Sequence, residues 1–137
     1  MKIPVSDVGN LAFATTLVNN TDELAVTLTG QAAGTTVYGP FYNPKEALRL
    51  AINVSTITAG SLTVTLLGYD FSSGATWTVL ASAAVGATGL TRMEVGPFIA
   101  ASANAVAQDY APVLYQIQCV VVTGPVWATI GASGIGA

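Results

Sequence analysis

The chain has 137 residues, enough for one domain with its own hydrophobic core. Only four lysines and arginines and seven aspartates and glutamates are present, and there is no histidine. So few cations cannot neutralise the phosphates of a nucleic-acid site or form a basic membrane-surface helix. Charged residues are 8% of the chain, so the surface must be largely uncharged, which suits a protein that packs against other subunits. The alternative is a monomer kept soluble by its hydroxyl groups.

The first part of the chain predicts an extended arm followed by short strands. Residues 1–10 form the arm, since Pro4 and Gly9 disfavour regular structure. No secretion signal is visible there. Strands are predicted at 11–18, 24–29 and 36–38, with a turn at 19–22 and a loop at 31–35. Gly39-Pro40 stops the third strand, and the Phe41 to Pro44 segment is predicted to be a turn with exposed aromatic edges.

The middle of the chain holds the strongest strand signals. Leu48, Leu50, Ile52 and Val54 alternate with smaller or polar residues, as in a strand with one buried face. Residues 61–81 predict a β-hairpin with a turn at 70–74 and Trp77 as its largest apolar anchor. Another strand is predicted at 90–95, ended by Gly96-Pro97.

The last third predicts the only short helix, at 99–108, because IAASANAVAQ is rich in good helix formers. A close-packed loop fits the same alanines. Strands follow at 113–122 and 126–130, and residues 132–137 are predicted to be a flexible tail. Eight or nine strands within a single domain spanning 11–131 predict an all-β fold, an antiparallel, jelly-roll-like β-sandwich.

The sequence offers little that could carry catalysis. Without histidine the commonest general base and metal ligand is missing, and the acidic residues are scattered. Asp70 to Gly74 has one carboxylate, so a turn fits it better than a calcium loop. Cys119 is the only cysteine, and it is predicted to pack as a small core residue rather than react. We therefore expect no enzyme, no cofactor and no metal site.

Aromatic residues are the remaining candidates for function. A sugar-stacking platform could draw on a set of seven: Tyr38, Phe41, Tyr42, Tyr69, Phe71, Trp77 and Trp127. The simpler interpretation is that Trp77 and Trp127 cap the ends of the core. Phe41, Tyr42 and Phe71 are in predicted turns, which makes them the better candidates for contacts with a partner.

The order of the predicted strands and turns resembles that of a known class of proteins. ALRLAINVST, GSLTVTLLGYD, SSGATWTVL, GLTRMEVGP and APVLYQIQCVVVTGPVWATIG follow one another between Ala47 and Gly131. This pattern resembles small β-sandwich structural proteins of tailed bacteriophages, in particular head decoration or cement proteins. The similarity lies in strands and turns rather than in invariant residues, so no site residues are carried over from the family.

The resemblance implies a virion protein on the capsid surface, assembled in the host cytoplasm. It would bind the outside of the shell and stabilise contacts between major capsid subunits, often as a homo-oligomer such as a trimer. The predicted contact residues are Ile3, Pro4, Val5, Phe41, Tyr42 and Phe71. The main alternative is a carbohydrate- or receptor-binding sandwich module of a phage tail or fibre. A module of a bacterial surface layer or appendage is a third interpretation, but it would need an export signal.

Overall fold

The computed structural model describes residues 23–136, which contain nine strands and no helix. Hydrophobic alternation with period two produces most of these strands. Their bounds in chain order are β1 Glu23–Gln31, β2 Gly34–Tyr42, β3 Ala47–Ile57, β4 Gly60–Tyr69, β5 Thr76–Ala81, β6 Gly89–Gly96, β7 Val106–Gln108, β8 Leu114–Thr123 and β9 Val126–Ile135.

The strands form two sheets. The five-stranded sheet has the order β1-β9-β3-β6-β7, and the four-stranded sheet has the order β2-β8-β4-β5. All neighbours are antiparallel except β6 and β7, which are parallel. This arrangement confirms the predicted all-β sandwich. Strands β5 and β7 are edge strands of the two sheets, and they contact each other.

The core lies between the sheets and follows the alternation seen in the sequence. Leu48, Leu50, Ile52 and Val54 of β3 all point inward and are at most 1% exposed. Opposite them, β8 contributes Tyr115, Ile117, Cys119 and Val121 to the same core. Burying each large aliphatic side chain stabilises the fold by roughly 1.5–3 kcal/mol. The two sheets are therefore held together mainly by apolar packing.

The predicted helix at 99–108 is wrong. The Ser102 amide donates to Val106 O at 3.0 Å, and the Glu94 amide donates to Ala105 O at 2.8 Å. These bonds bring Val106–Gln108 alongside β6 as β7. The helix propensity of alanine is a weak preference, and here pairing with an open sheet edge overrides it.

The predicted stop at Gly39-Pro40 and the exposed turn after it are also wrong. Strand β2 continues to Tyr42, with a register shift between Tyr38 and Phe41. The shift places Phe41 opposite Tyr115 in the core, where Phe41 is 4% exposed and the two ring centroids lie 5.6 Å apart. A bulge thus lets a Gly-Pro pair sit inside an edge strand.

Strand β9 extends beyond its predicted end at Ile130. It runs to Ile135, and Ala132 is buried between Leu24 of β1 and Leu50 of β3. Most of the segment predicted as a flexible tail is therefore strand. The predicted arm at 1–10, the strand at 11–18 and the turn at 19–22 lie outside the described residues.

Candidate functional site

Exposed aromatic and apolar side chains collect at one end of the sandwich. The strand register places the turn after β4, the start of β5 and the connection between β7 and β8 at this end. One exposed side chain at this end, Phe98, follows β6 and lines neither of the two depressions described below. The other four large side chains here are each more than half exposed and line a depression: Phe71, Trp77, Tyr110 and Val113. We call these four residues the aromatic end. Exposed aromatic groups clustered in this way are typical of interaction sites, which makes this end the candidate functional site.

Trp77 is held in place by a glycine on the neighbouring strand. Trp77 of β5 pairs with Gly68 of β4, and Gly68 also pairs with the buried Tyr115. Directly paired residues lie on the same face of a sheet, so Trp77 is on the core-facing side, as Tyr115 is. Trp77 lies at the edge of that side, because β5 is an edge strand. A Cβ atom on Gly68 would overlap indole atoms Cε2 and Cζ2. The indole therefore rests against Gly68 while 51% of the residue stays exposed.

The turn after β4 is organised by Asp70. Its Oδ1 accepts the Ser72 hydroxyl at 3.0 Å, and its Oδ2 accepts the Ser73 hydroxyl at 2.5 Å. The hydrogen bond from Ser73, followed by those from Ser72, lowers the pKa of the Asp70 carboxyl. Both carboxylate oxygens are thus used within the turn, which fits the turn interpretation of this segment and sets the position of Phe71.

The connection between β7 and β8 is fixed by backbone hydrogen bonds. The Asp109 amide donates to Gly96 O at 3.0 Å, and the Ala111 amide donates to Glu46 O at 2.9 Å. Two residues later, Val113 O accepts the Asn43 amide at 2.7 Å. Tyr110 and Val113 are therefore presented from a segment anchored at alternate residues.

Two depressions lie at the aromatic end, and both include Trp77 and Pro112. The first, which we call the polar cleft, has a volume of about 290 Å³ and lies between β5 and the segment 107–112. The second, the apolar groove, is wider, at about 530 Å³, and is lined by Tyr69, Phe71, Val113 and Leu114 among others. Along the described chain, no lysine or arginine lines either depression.

Of the three predicted contact residues that the structure describes, only Phe71 lies at the aromatic end with most of its surface exposed. Tyr42 is half-buried and pairs with Leu114, and Phe41 is in the core. Ile3, Pro4 and Val5 lie outside the described residues, so their role stays a prediction. Sequence reasoning missed Tyr110 and Val113, although the Asp-Tyr-Ala-Pro-Val run before β8 was a visible signal of an ordered turn.

The expectation that Trp77 caps the core is only half correct, since the residue lies at the sandwich end but stays half exposed. Trp127, the other predicted cap, is half-buried. A Cβ atom on Gly30 would lie 3.1 Å from its Cζ2. Of the two tryptophans, Trp77 is therefore the one that presents most surface to a ligand.

The described residues hold few groups suited to chemistry. Between residues 23 and 136, no three cysteine or acidic side chains come together as metal ligands would. Cys119 is buried in the core, as predicted, and burial raises the pKa of its thiol to about 12. A thiol with that pKa stays protonated and unreactive at neutral pH. The same stretch of chain contains no helix that could cross a membrane.

The fold and surface define a β-sandwich with one exposed aromatic end. No protein-family model matches the sequence, and a comparison with curated proteins finds no match. The resemblance to phage head proteins therefore stays a hypothesis.

Proposed function

We propose that the protein is a non-enzymatic virion structural protein of a tailed phage, a decoration or cement protein that binds the outside of the capsid shell. The observation that carries the proposal is the aromatic end, where exposed apolar side chains stand on ordered backbone. The low charge of the chain supports the same proposal, because uncharged surfaces lose little solvation when they pack against another protein. The partner that we propose, a capsid shell, comes from the resemblance of the sequence's pattern of strands and turns to phage head proteins.

The apolar groove is the part of the aromatic end that we assign to the shell. Phe71 and Val113 are 59% and 63% exposed on its walls. Among the described residues that line it, Asp70 is the only one charged at neutral pH, and its carboxylate already accepts the Ser72 and Ser73 hydroxyls. A protein partner would therefore bury aromatic and aliphatic area there, while the one carboxylate keeps its hydrogen bonds to two serine hydroxyls. Self-association, as a trimer around the same shell site, belongs to this proposal.

Replacing Phe71 and Val113 by serine should abolish most shell binding. Phage heads assembled without the chain are incubated with wild-type protein or with the double variant Phe71→Ser/Val113→Ser, and bound protein is measured after sedimentation. We expect occupancy at subsaturating concentration to fall at least tenfold, since buried aromatic anchors dominate interface energies. Both side chains are exposed, so the fold should keep its stability.

Phe98→Ser is the matched control for that experiment. Phe98 is 81% exposed and lines neither depression, so its replacement removes a large exposed aromatic side chain from outside the groove. Its occupancy should stay within twofold of wild type. Wild-type occupancy by the double variant would contradict the assignment of the groove to the shell.

A further inference from the structure

We propose that the polar cleft is a binding site for a neutral carbohydrate, with the Trp77 indole as its stacking platform. The polar cleft adjoins the apolar groove, with which it shares Trp77 and Pro112, but the proposal does not depend on shell binding. Its first support is the position of Trp77. The indole rests against Gly68 while 51% of the residue stays exposed, so a supported ring surface is present before any ligand arrives. Sugar rings have apolar C–H faces that pack on such a surface.

The polar groups around Trp77 fit hydroxyl-rich ligands. Asp109 and Gln108 line the cleft together with Thr78 of β5, and all three residues are exposed. Asp109 Oδ1 accepts the Tyr110 amide at 2.8 Å, which fixes the carboxylate. The Asp109 Oδ2, the side-chain amide of Gln108 and the Thr78 hydroxyl bond no other described residue and are open to a ligand. Planar carboxylate and amide groups can each bond two adjacent hydroxyls, and a few such groups set ligand orientation.

Charge and size narrow the ligand class. The cleft has one carboxylate, and no cation from the described part of the chain lines it, so phosphates and acidic sugars would meet repulsion without compensation. A volume of about 290 Å³ is near the lower limit of small-molecule sites, which run from roughly 300 to 1,000 Å³. The cleft thus fits one or two sugar rings at the end of a longer glycan. Tyr110 at its wall offers a second aromatic contact.

The test uses Trp77 as its own reporter. The chain has two tryptophans, so Trp127→Phe leaves Trp77 as the only one. This variant is titrated with neutral oligosaccharides of glucose, galactose, mannose, N-acetylglucosamine and N-acetylgalactosamine while tryptophan emission is recorded. We expect at least one to give a saturable blue shift with half-saturation near ~0.1–1 mM, the range of weak single-site binding. No response to any of these sugars would overturn the proposal.

Substitutions then locate the response. Because Trp77→Ala removes the reporter, binding of the responding sugar to variants is measured by calorimetry. Trp77→Ala and Asp109→Ala should each weaken binding at least tenfold. Gln108→Ala should weaken it several-fold, and this exposed change leaves folding intact if Trp77→Ala does not. Phe98→Ser, outside the cleft, should bind within twofold of wild type.

Two further outcomes would overturn the carbohydrate assignment. Sugar binding that survives Asp109→Ala and Gln108→Ala unchanged would place the sugar elsewhere on the chain. A shift of Trp77 emission that follows protein concentration without any sugar would show that a second copy of the chain occupies the cleft. Neither outcome involves shells, so failure here is distinguishable from failure of the shell-binding proposal.

Discussion

Gly60→Ala should lower the free energy of unfolding by about 3 kcal/mol or more. Gly60 begins β4 with a φ of +79°, a backbone conformation that disfavours side chains. A Cβ atom there would also overlap the carbonyl oxygen of Val122 on β8, and a backbone atom inside a sheet cannot rotate away. The change therefore adds steric conflict to conformational strain at the start of a central strand. Urea unfolding followed by circular dichroism measures the loss.

Gly74→Ala is the matched control for Gly60→Ala. Gly74 has nearly the same φ, +74°, but the nearest atom to its Cβ position would be the Tyr69 hydroxyl at 3.8 Å. This variant should lose only about 1 kcal/mol, the cost of a left-handed alanine. The difference between the two variants measures the overlap with Val122 and Thr123 on β8. Equal losses would mean that the β3–β4 connection relaxes freely, contrary to the packing described.

Gly68→Ala should displace Trp77 and remove the platform of the polar cleft. Gly68 does not have a positive φ, so backbone strain plays no part. The added methyl group would occupy the space of the indole, and we expect a loss of about 2–3 kcal/mol. Emission of Trp77, measured in the Trp127→Phe background, should move to longer wavelength as the ring becomes solvated. Binding of any sugar that the cleft accepts should be lost with it.

Gly131→Ala tests whether glycine itself matters within a strand. Gly131 lies in β9 with no positive φ, and a Cβ atom there would meet nothing within 4 Å. Its replacement should be neutral or slightly stabilising.

A double-mutant cycle tests the contact between Gly68 and Trp77. Trp77→Ala should cancel most of the stability loss caused by Gly68→Ala, because the side chain with which the new methyl group would clash is gone. Additive losses of unfolding free energy in that cycle would contradict the packing of the Trp77 indole on Gly68.

The fold was predictable where one strand buries one face. The alternation from Leu48 to Val54 correctly predicted both the strand and the face that it buries. The hairpin at 61–81 was predicted correctly in the same way. Prediction failed where tertiary pairing overrides local preference. The sequence IAASANAVAQ contains no signal that residues 106–108 will pair with β6. Gly39-Pro40 predicts the end of a strand unless the bulge before Phe41 is known.

The candidate site was predictable only in part. Phe71 followed from its place in a turn of small polar residues, and Trp77 was visible as a large side chain on a short strand. The cleft itself joins β5 with residues 107–112, about thirty positions further on, so no local spacing encodes it. The contact between Gly68 and Trp77 could not be predicted either, because a glycine in a strand does not indicate which neighbouring side chain packs on it.

We propose above all that this protein is part of a virion and is held there by uncharged contacts. The most direct measurement is quantitative mass spectrometry of phage particles released from the source organism, banded by density and washed in 1 M NaCl. We predict that the chain remains in a fixed ratio to the major capsid protein, because apolar contacts are not screened by salt. Particles that contain the major capsid protein but not this chain, or that lose the chain in the wash, would contradict it.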